Sequence, residues 1–199
     1  LCCILTRDVE VPISGKLDAE LSTESPSCHG VSDGTASITA LNGTAPYTWL
    51  WEDGSTTNTL SDIAAGDYAA TVSDIYGCKD SLSFSLTEPP ALLLSITVNA
   101  ISCFGASDGS VSVSAGGGTP DYTFQWNTLN TTSSLMDLSV GLYTVTLTDA
   151  NGCSETTDAN IPEPPSLTLS IEGPATLCPA QQGTIAVTAG GGLDPYHFL

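Results

Sequence analysis

Apolar and polar residues alternate along short stretches of this chain. In residues 141–149, Tyr143, Val145 and Leu147 share one face while Thr144, Thr146 and Thr148 share the other, and Tyr68, Ala70 and Val72 repeat the pattern earlier. Val111, Val113 and Ala115 alternate in the same way, as do Tyr122, Phe124 and Trp126, and Leu92, Leu94 and Ile96. A period of two marks strands with one buried face. Between them lie Ser-Asp-Gly, Glu-Asp-Gly-Ser, Gly-Gly-Gly and Asp-Ala-Asn-Gly, which supply the positive φ angles and side-chain-to-backbone bonds of tight turns. No stretch shows the 3.6-residue period of an amphipathic helix. Short strands spaced by turns predict an all-β protein built of two-sheet antiparallel sandwiches of immunoglobulin type.

The pattern recurs every 75 residues. Cys3, Cys78 and Cys153 form one series at that step, and Cys28, Cys103 and Cys178 form another. Residues 28–78 laid over 103–153 without a gap give 22 identities in 51 positions, including the pairs Asp33/Asp108, Trp51/Trp126, Asp62/Asp137, Tyr68/Tyr143 and Asp74/Asp149. A 75-residue unit is long enough to own a core, unlike the shorter units of solenoids. TEPPA (residues 87–91) and PEPPS (residues 162–166) fall at the same phase. A proline pair fixes φ and favours extended backbone, so each predicts a short stiff joint. The expected divisions are 1–16, the tail of a preceding repeat; 17–90 and 91–165, two tandem immunoglobulin-like β-sandwich domains; and 166–199, the first half of a further one.

The aromatic residues fit that architecture. Trp51 and Trp126 stand where such sandwiches place the tryptophan between their sheets, and the segments ending in Tyr68 and Tyr143 resemble the approach to a tyrosine corner. All four are expected to fill the cores.

Composition changes the picture in one respect. Asp and Glu number 22 against 3 Lys and Arg, giving a formal charge of −19. Phosphate binding draws on clustered Lys and Arg, so nucleic acid is excluded as a partner. No apolar run approaches the roughly 18 residues of a membrane-spanning helix. The acidic excess reads as a solvated surface whose self-repulsion extends and solubilises an array.

The stretch CFGASDGSVSVSAGGGTPDYTFQW, followed by LMDLSVGLYTVTLTDANGC and an EPP joint, resembles the SprB repeat. That repeat is found in tandem on surface adhesins of gliding bacteria and on other proteins exported by type IX secretion. The first repeat departs from it at Leu41-Asn42 and at Asp74-Ile-Tyr-Gly-Cys78, and the last is one residue shorter between Cys178 and Gly183. The resemblance implies display outside the bacterial cell and a stalk-like role in adhesion and gliding. Its implied partners are a surface polysaccharide or substratum reached through other parts of the protein, neighbouring repeats of the same chain, and the secretion and motility machinery.

Spacings of 25 and 50 residues provide no zinc-ligand pair, so disulfides are the expectation for the cysteines. Closing a 50-residue loop would stabilise a marginal core by roughly 4 kcal/mol. Pairing depends on strand parity. Four traverses between Cys28 and Cys78 put both at one end, favouring Cys28 with Cys78 and Cys103 with Cys153. An odd count, reached if residues 55–63 form two strands, brings Cys28 toward Cys153 instead. The recurring aspartates Asp33, Asp74, Asp108 and Asp149 are weak calcium candidates, set against the plainer reading of turn residues bonding their own backbone. No other cofactor is expected. His29 and His197 have no counterpart in the aligned repeats, Phe104 standing opposite His29, so no catalytic constellation can be assembled and no enzyme is expected. The rival reading is an extracellular carbohydrate-binding array, with Trp49, Tyr76 and His29 as candidate exposed rings.

Overall fold

The computed structural model describes residues 16–174, 176, 178 and 182–198. Every element among them is a strand or a turn, and the chain divides into two compact units, Leu1–Ala91 and Leu92–Leu199.

The first unit contains β1 (Ala19–Glu24), β2 (Gly34–Ala40), β3 (Thr48–Trp51), β4 (Thr59–Ile63), β5 (Gly66–Ser73) and β6 (Lys79–Leu86). They form two antiparallel three-stranded sheets, ordered β1-β2-β4 and β3-β5-β6. In the second unit β7 (Leu93–Asn99), β8 (Gly109–Gly116), β9 (Thr123–Trp126), β10 (Ser134–Leu138), β11 (Gly141–Thr148) and β12 (Ser154–Ile161) repeat the plan as β7-β8-β10 and β9-β11-β12. The order is that of an immunoglobulin-type sandwich without its fourth strand D. Inward alternate positions supply each core: Ala36, Ile38, Trp51, Ala70 and Val72 in the first, Val111, Val113, Trp126, Val145 and Ala159 in the second.

Each sandwich has an entry end, where its first strand begins, and an exit end, where its last strand finishes. β1 pairs Ala19 with Ala40 and Glu24 with Thr35, so β2 runs from exit to entry. Thr48 pairs with Ser73 and Trp51 with Ala70, so β3 leaves the entry end and stops halfway. There the chain crosses to the other sheet. β4 starts mid-sheet opposite Ser37 and completes the descent at Ile63, beside Gly34. β3 and β4 are therefore two halves of one traverse.

Residues 166–198 contribute β13 (Thr168–Glu172) and β14 (Ala186–Gly190), paired as β1 and β2 are. Leu169, Ile171, Ile185 and Val187 of this hairpin are exposed, at the alternate positions that bury Val111 and Val113 in the second sandwich.

Candidate functional site

Three residue pairs common to both sandwiches, Trp51/Trp126, Tyr68/Tyr143 and Asp74/Asp149, are occupied in holding their own chain. Trp51 is 2% exposed, and its Nε1 donates to the Thr57 carbonyl at 2.8 Å; Trp126 is 1% exposed and bonds Thr132 in the same way. Each indole thus pins the crossover between β3 and β4, or β9 and β10, from inside the core. Tyr68 donates its hydroxyl to the Ala64 carbonyl at 2.9 Å and Tyr143 to that of Ser139 at 3.1 Å, closing tyrosine corners four residues back. Phe84 stacks on Tyr68 and meets Trp51 edge-on, linking the corner to the core.

Asp74 and Asp149 are buried, each in the turn between the last two strands of its sandwich. Asp74 accepts the backbone N–H groups of Thr44, Tyr76 and Cys78 at 3.2, 3.0 and 2.9 Å. Burial opposes its charge, but the N–H groups of Cys78, Thr44 and Tyr76 and the Cys78 thiol outweigh burial and hold the carboxyl below its ordinary value. Asp149 is held low first by the Thr119 N–H, against burial, with Cys153, Asn151 and Gly152 adding to it. Gly43 and Gly118 complete these sites. Both have positive φ, and a Cβ at Gly118 would come within 2.6 Å of Asp149 Oδ2.

Asp33 and Asp108 lie at the exit ends. Asp33 accepts the Ser27 hydroxyl and N–H at 2.5 and 2.8 Å, and Asp108 accepts the Ser102 N–H at 3.0 Å. Serine hydroxyl bonds, followed by backbone N–H bonds, lower both carboxyls. The four calcium candidates thus split between opposite ends of their sandwiches, each facing backbone N–H donors, with a serine hydroxyl added at Asp33 and Asp108. Among the described residues no three His, Cys, Asp or Glu side chains gather as metal ligands.

The cysteine pairing expected within each repeat is corrected. Because β3 and β4 make a single descent, three traverses separate Cys28 from Cys78, which stand at the exit and entry ends respectively. Cys103 and Cys153 are separated in the same way. The Cys78 thiol hydrogen-bonds Asp74, Cys103 carries an exposed thiol, and Cys28 and Cys153 are each disulfide-bonded. Neither Cys28–Cys78 nor Cys103–Cys153 forms.

Two glutamates that the sequence reading passed over act at the joints. Glu88 accepts the Gly30 N–H at 2.6 Å and lies 2.8 Å from His29 Nδ1; Glu163 accepts the Gly105 N–H at 3.0 Å. Each ties the proline joint to the turn after the first strand. Their recurrence before both proline pairs was the available signal. Trp49 is partly buried against the core, edge-on to Tyr47, and its Nε1 has no hydrogen-bond partner; Tyr76 is 70% exposed.

These geometries define tandem immunoglobulin-like sandwiches stabilised by their own turns. The SprB repeat family matches residues 21–56 and 95–131, one stretch in each sandwich, running from the first strand into the turn after the third. No curated protein matches the chain. Among solved structures it is similar to one described as the structural basis for Dscam isoform specificity, at 15% identity and a TM-score of 0.30, covering 74% of this chain and 46% of that one. It is also similar to the amphioxus IgVJ-C2 molecule, at 13% identity and a TM-score of 0.30, covering 74% and 97%. A third is the C-terminal 282-residue fragment of intimin in complex with the intimin-binding domain of the translocated intimin receptor, at 14% and 0.36, covering 78% and 67%. The chain spans less than half the length of the Dscam chain. No role passes from these proteins to this one.

Among the described residues no helix is long and apolar enough to cross a membrane.

Proposed function

We propose that these repeats are the load-carrying stalk of a secreted adhesin on a bacterial surface, holding a distal adhesive region away from the cell during surface movement. One observation supports this reading above the others: the recurring Trp51/Trp126, Tyr68/Tyr143 and Asp74/Asp149 bond their own backbone, while the exposed rings do not recur. A module selected for chemistry or sugar binding would repeat its outward residues. Here Tyr76 faces Asn151 in the aligned repeat, and His29 faces Phe104. The partners proposed are neighbouring repeats, the secretion and motility machinery, and a polysaccharide or substratum engaged elsewhere in the protein. The role is structural, with no catalysis.

Pulling the chain from its ends in reducing buffer tests the reading. Two separate unfolding events are expected, each lengthening the chain by roughly 25 nm for a 75-residue repeat. Unfolding at negligible force, together with saturable polysaccharide binding lost on Tyr76→Ala, would favour the carbohydrate-binding array.

A further inference from the structure

We infer that Asn42–Gly43 is a site of self-modification, at which the folded first sandwich converts Asn42 into aspartate and isoaspartate, whereas the same dipeptide in the second sandwich, Asn151–Gly152, is shielded. The inference stands apart from the functional reading above and concerns the chain's own chemistry.

The chain holds two Asn-Gly pairs. Glycine has no Cβ, so its nitrogen can approach the side-chain carbonyl of the asparagine before it. The pairs lie in different turns: Tyr76 stands where Asn151 does in the aligned repeat, and Gly117 where Asn42 does. Both asparagines are exposed, but the fold treats the glycine nitrogens differently. Asn151 donates its N–H to Asp149 Oδ1 at 3.0 Å, and Gly152 donates its own to the Asp149 carbonyl at 3.1 Å. The Asn151 amide is held as well, by Thr119 Oγ1 at 3.1 Å. The turn that the buried Asp149 organises thus restrains both reacting groups. Asn42 lies instead in the loop from β2 to β3. The Leu41 N–H bonds the Asp18 carbonyl and the Thr44 N–H bonds Asp74, but among the described residues neither Asn42 nor Gly43 donates its N–H to an acceptor. The Gly43 nitrogen is left available as a nucleophile.

The step needs only solvent water as co-reactant. The Gly43 nitrogen bonds to the Asn42 side-chain carbonyl carbon, the bond from that carbon to Nδ2 breaks, and Nδ2 leaves as ammonia with the proton that the glycine gave up. Water then opens the succinimide at either carbonyl, giving aspartate or isoaspartate with no change of oxidation state. The product disturbs its surroundings. The Asn42 amide donates to Asp18 Oδ2 at 3.1 Å, and Lys16 first, then this amide, hold the Asp18 carboxyl below its ordinary value. A carboxylate in place of the amide repels Asp18. Isoaspartate also lengthens the backbone beside Gly43, where a Cβ would already come within 2.8 Å of Leu17 Cδ1 and 3.3 Å of Asp74 Oδ2. Conversion therefore loosens the loop that brings Thr44 to Asp74.

Trypsin can cut only after Arg7, Lys16 and Lys79, so Asn42 falls in peptide 17–79 and Asn151 in 80–199. The full chain is aged in mildly alkaline buffer and digested, and each asparagine is followed by fragmentation through its amide-to-acid mass increment. Asn42 is expected to convert at least about tenfold faster than Asn151, because attack at Gly152 must await local opening of its hydrogen bond. Ageing in urea should bring the two rates together. Similar rates in the folded chain, faster conversion of Asn151, or a difference that survives in urea would overturn the inference. Asn42→Gln checks it independently, because the larger ring that glutamine must close forms far more slowly. Peptide 17–79 of the folded variant should keep its mass through the same ageing, and a gain at the original rate would contradict the site. Hydrogen exchange at the Thr44 amide should quicken in the converted chain; unchanged exchange would contradict the loosening.

Discussion

Asp149 accepts the backbone N–H of Thr119 at 2.8 Å across 30 residues of chain, and Asp74 does the same with Thr44 at 3.2 Å. In both sandwiches the carboxylate joins the turn before the last strand to the loop before the third. The ordinary value is 3.8 and the folded value lies lower, so the stabilisation is complete above that ordinary value and is lost as pH falls through the folded one. Thermal scans between pH 7 and pH 2 should show a steep fall in Tm below about pH 4. Asp149→Asn should lower Tm at pH 7 and flatten the fall; an unchanged pH profile in the variant would deny the carboxylate this role.

The tyrosine corner contributes through its hydroxyl. Tyr143→Phe removes the bond to the Ser139 carbonyl and should cost about 1 kcal/mol by denaturant unfolding. Trp126→Phe removes a bond from the core and leaves a void beside it, and should cost about 2–4 kcal/mol. Equal costs for the two would mean that the indole does not pin the crossover.

Trp49 presents the opposite case. Its Nε1 is buried without a partner, while Phe124 occupies the aligned position of the second repeat. Trp49→Phe removes the unsatisfied donor at a small loss of area, so stability should hold or rise by up to about 1 kcal/mol. A loss above 2 kcal/mol in chemical denaturation would show that the indole's bulk matters more.

Glu163 is expected to protect a single amide. Glu163→Ala should speed hydrogen exchange at Gly105 by at least about tenfold while leaving β11 amides unaffected. No change at Gly105 would remove the glutamate from its assigned position.

Most of the fold was legible in the sequence because alternation and turn chemistry are local. Tyr143, Val145 and Leu147 declare their inward phase within five residues, and the Asp-Gly turns declare themselves in two. The cysteine pairing was not legible, because it turns on how many times the chain reverses. The stretch between Trp51 and Thr59 carries turn residues as a reversal would. Yet those residues step from one sheet to the other without changing direction, and the pinning contact is a tryptophan inside the core bonding Thr57. Nothing in the spacing distinguishes a crossover from a hairpin. The aspartates show the same limit. Their recurrence signalled a shared role, but only the positions of the Thr44 and Thr119 amides separate a turn anchor from a free carboxylate.

The central claim is that each 75-residue unit is a self-sufficient sandwich. Differential scanning calorimetry of residues 91–166 alone, with Cys103 and Cys153 replaced by serine, tests it most directly. The expected result is one cooperative transition, with calorimetric and van't Hoff enthalpies equal and a heat-capacity change of about 1 kcal/mol/K. A scan with no transition, from a chain whose amide resonances are collapsed, would contradict it.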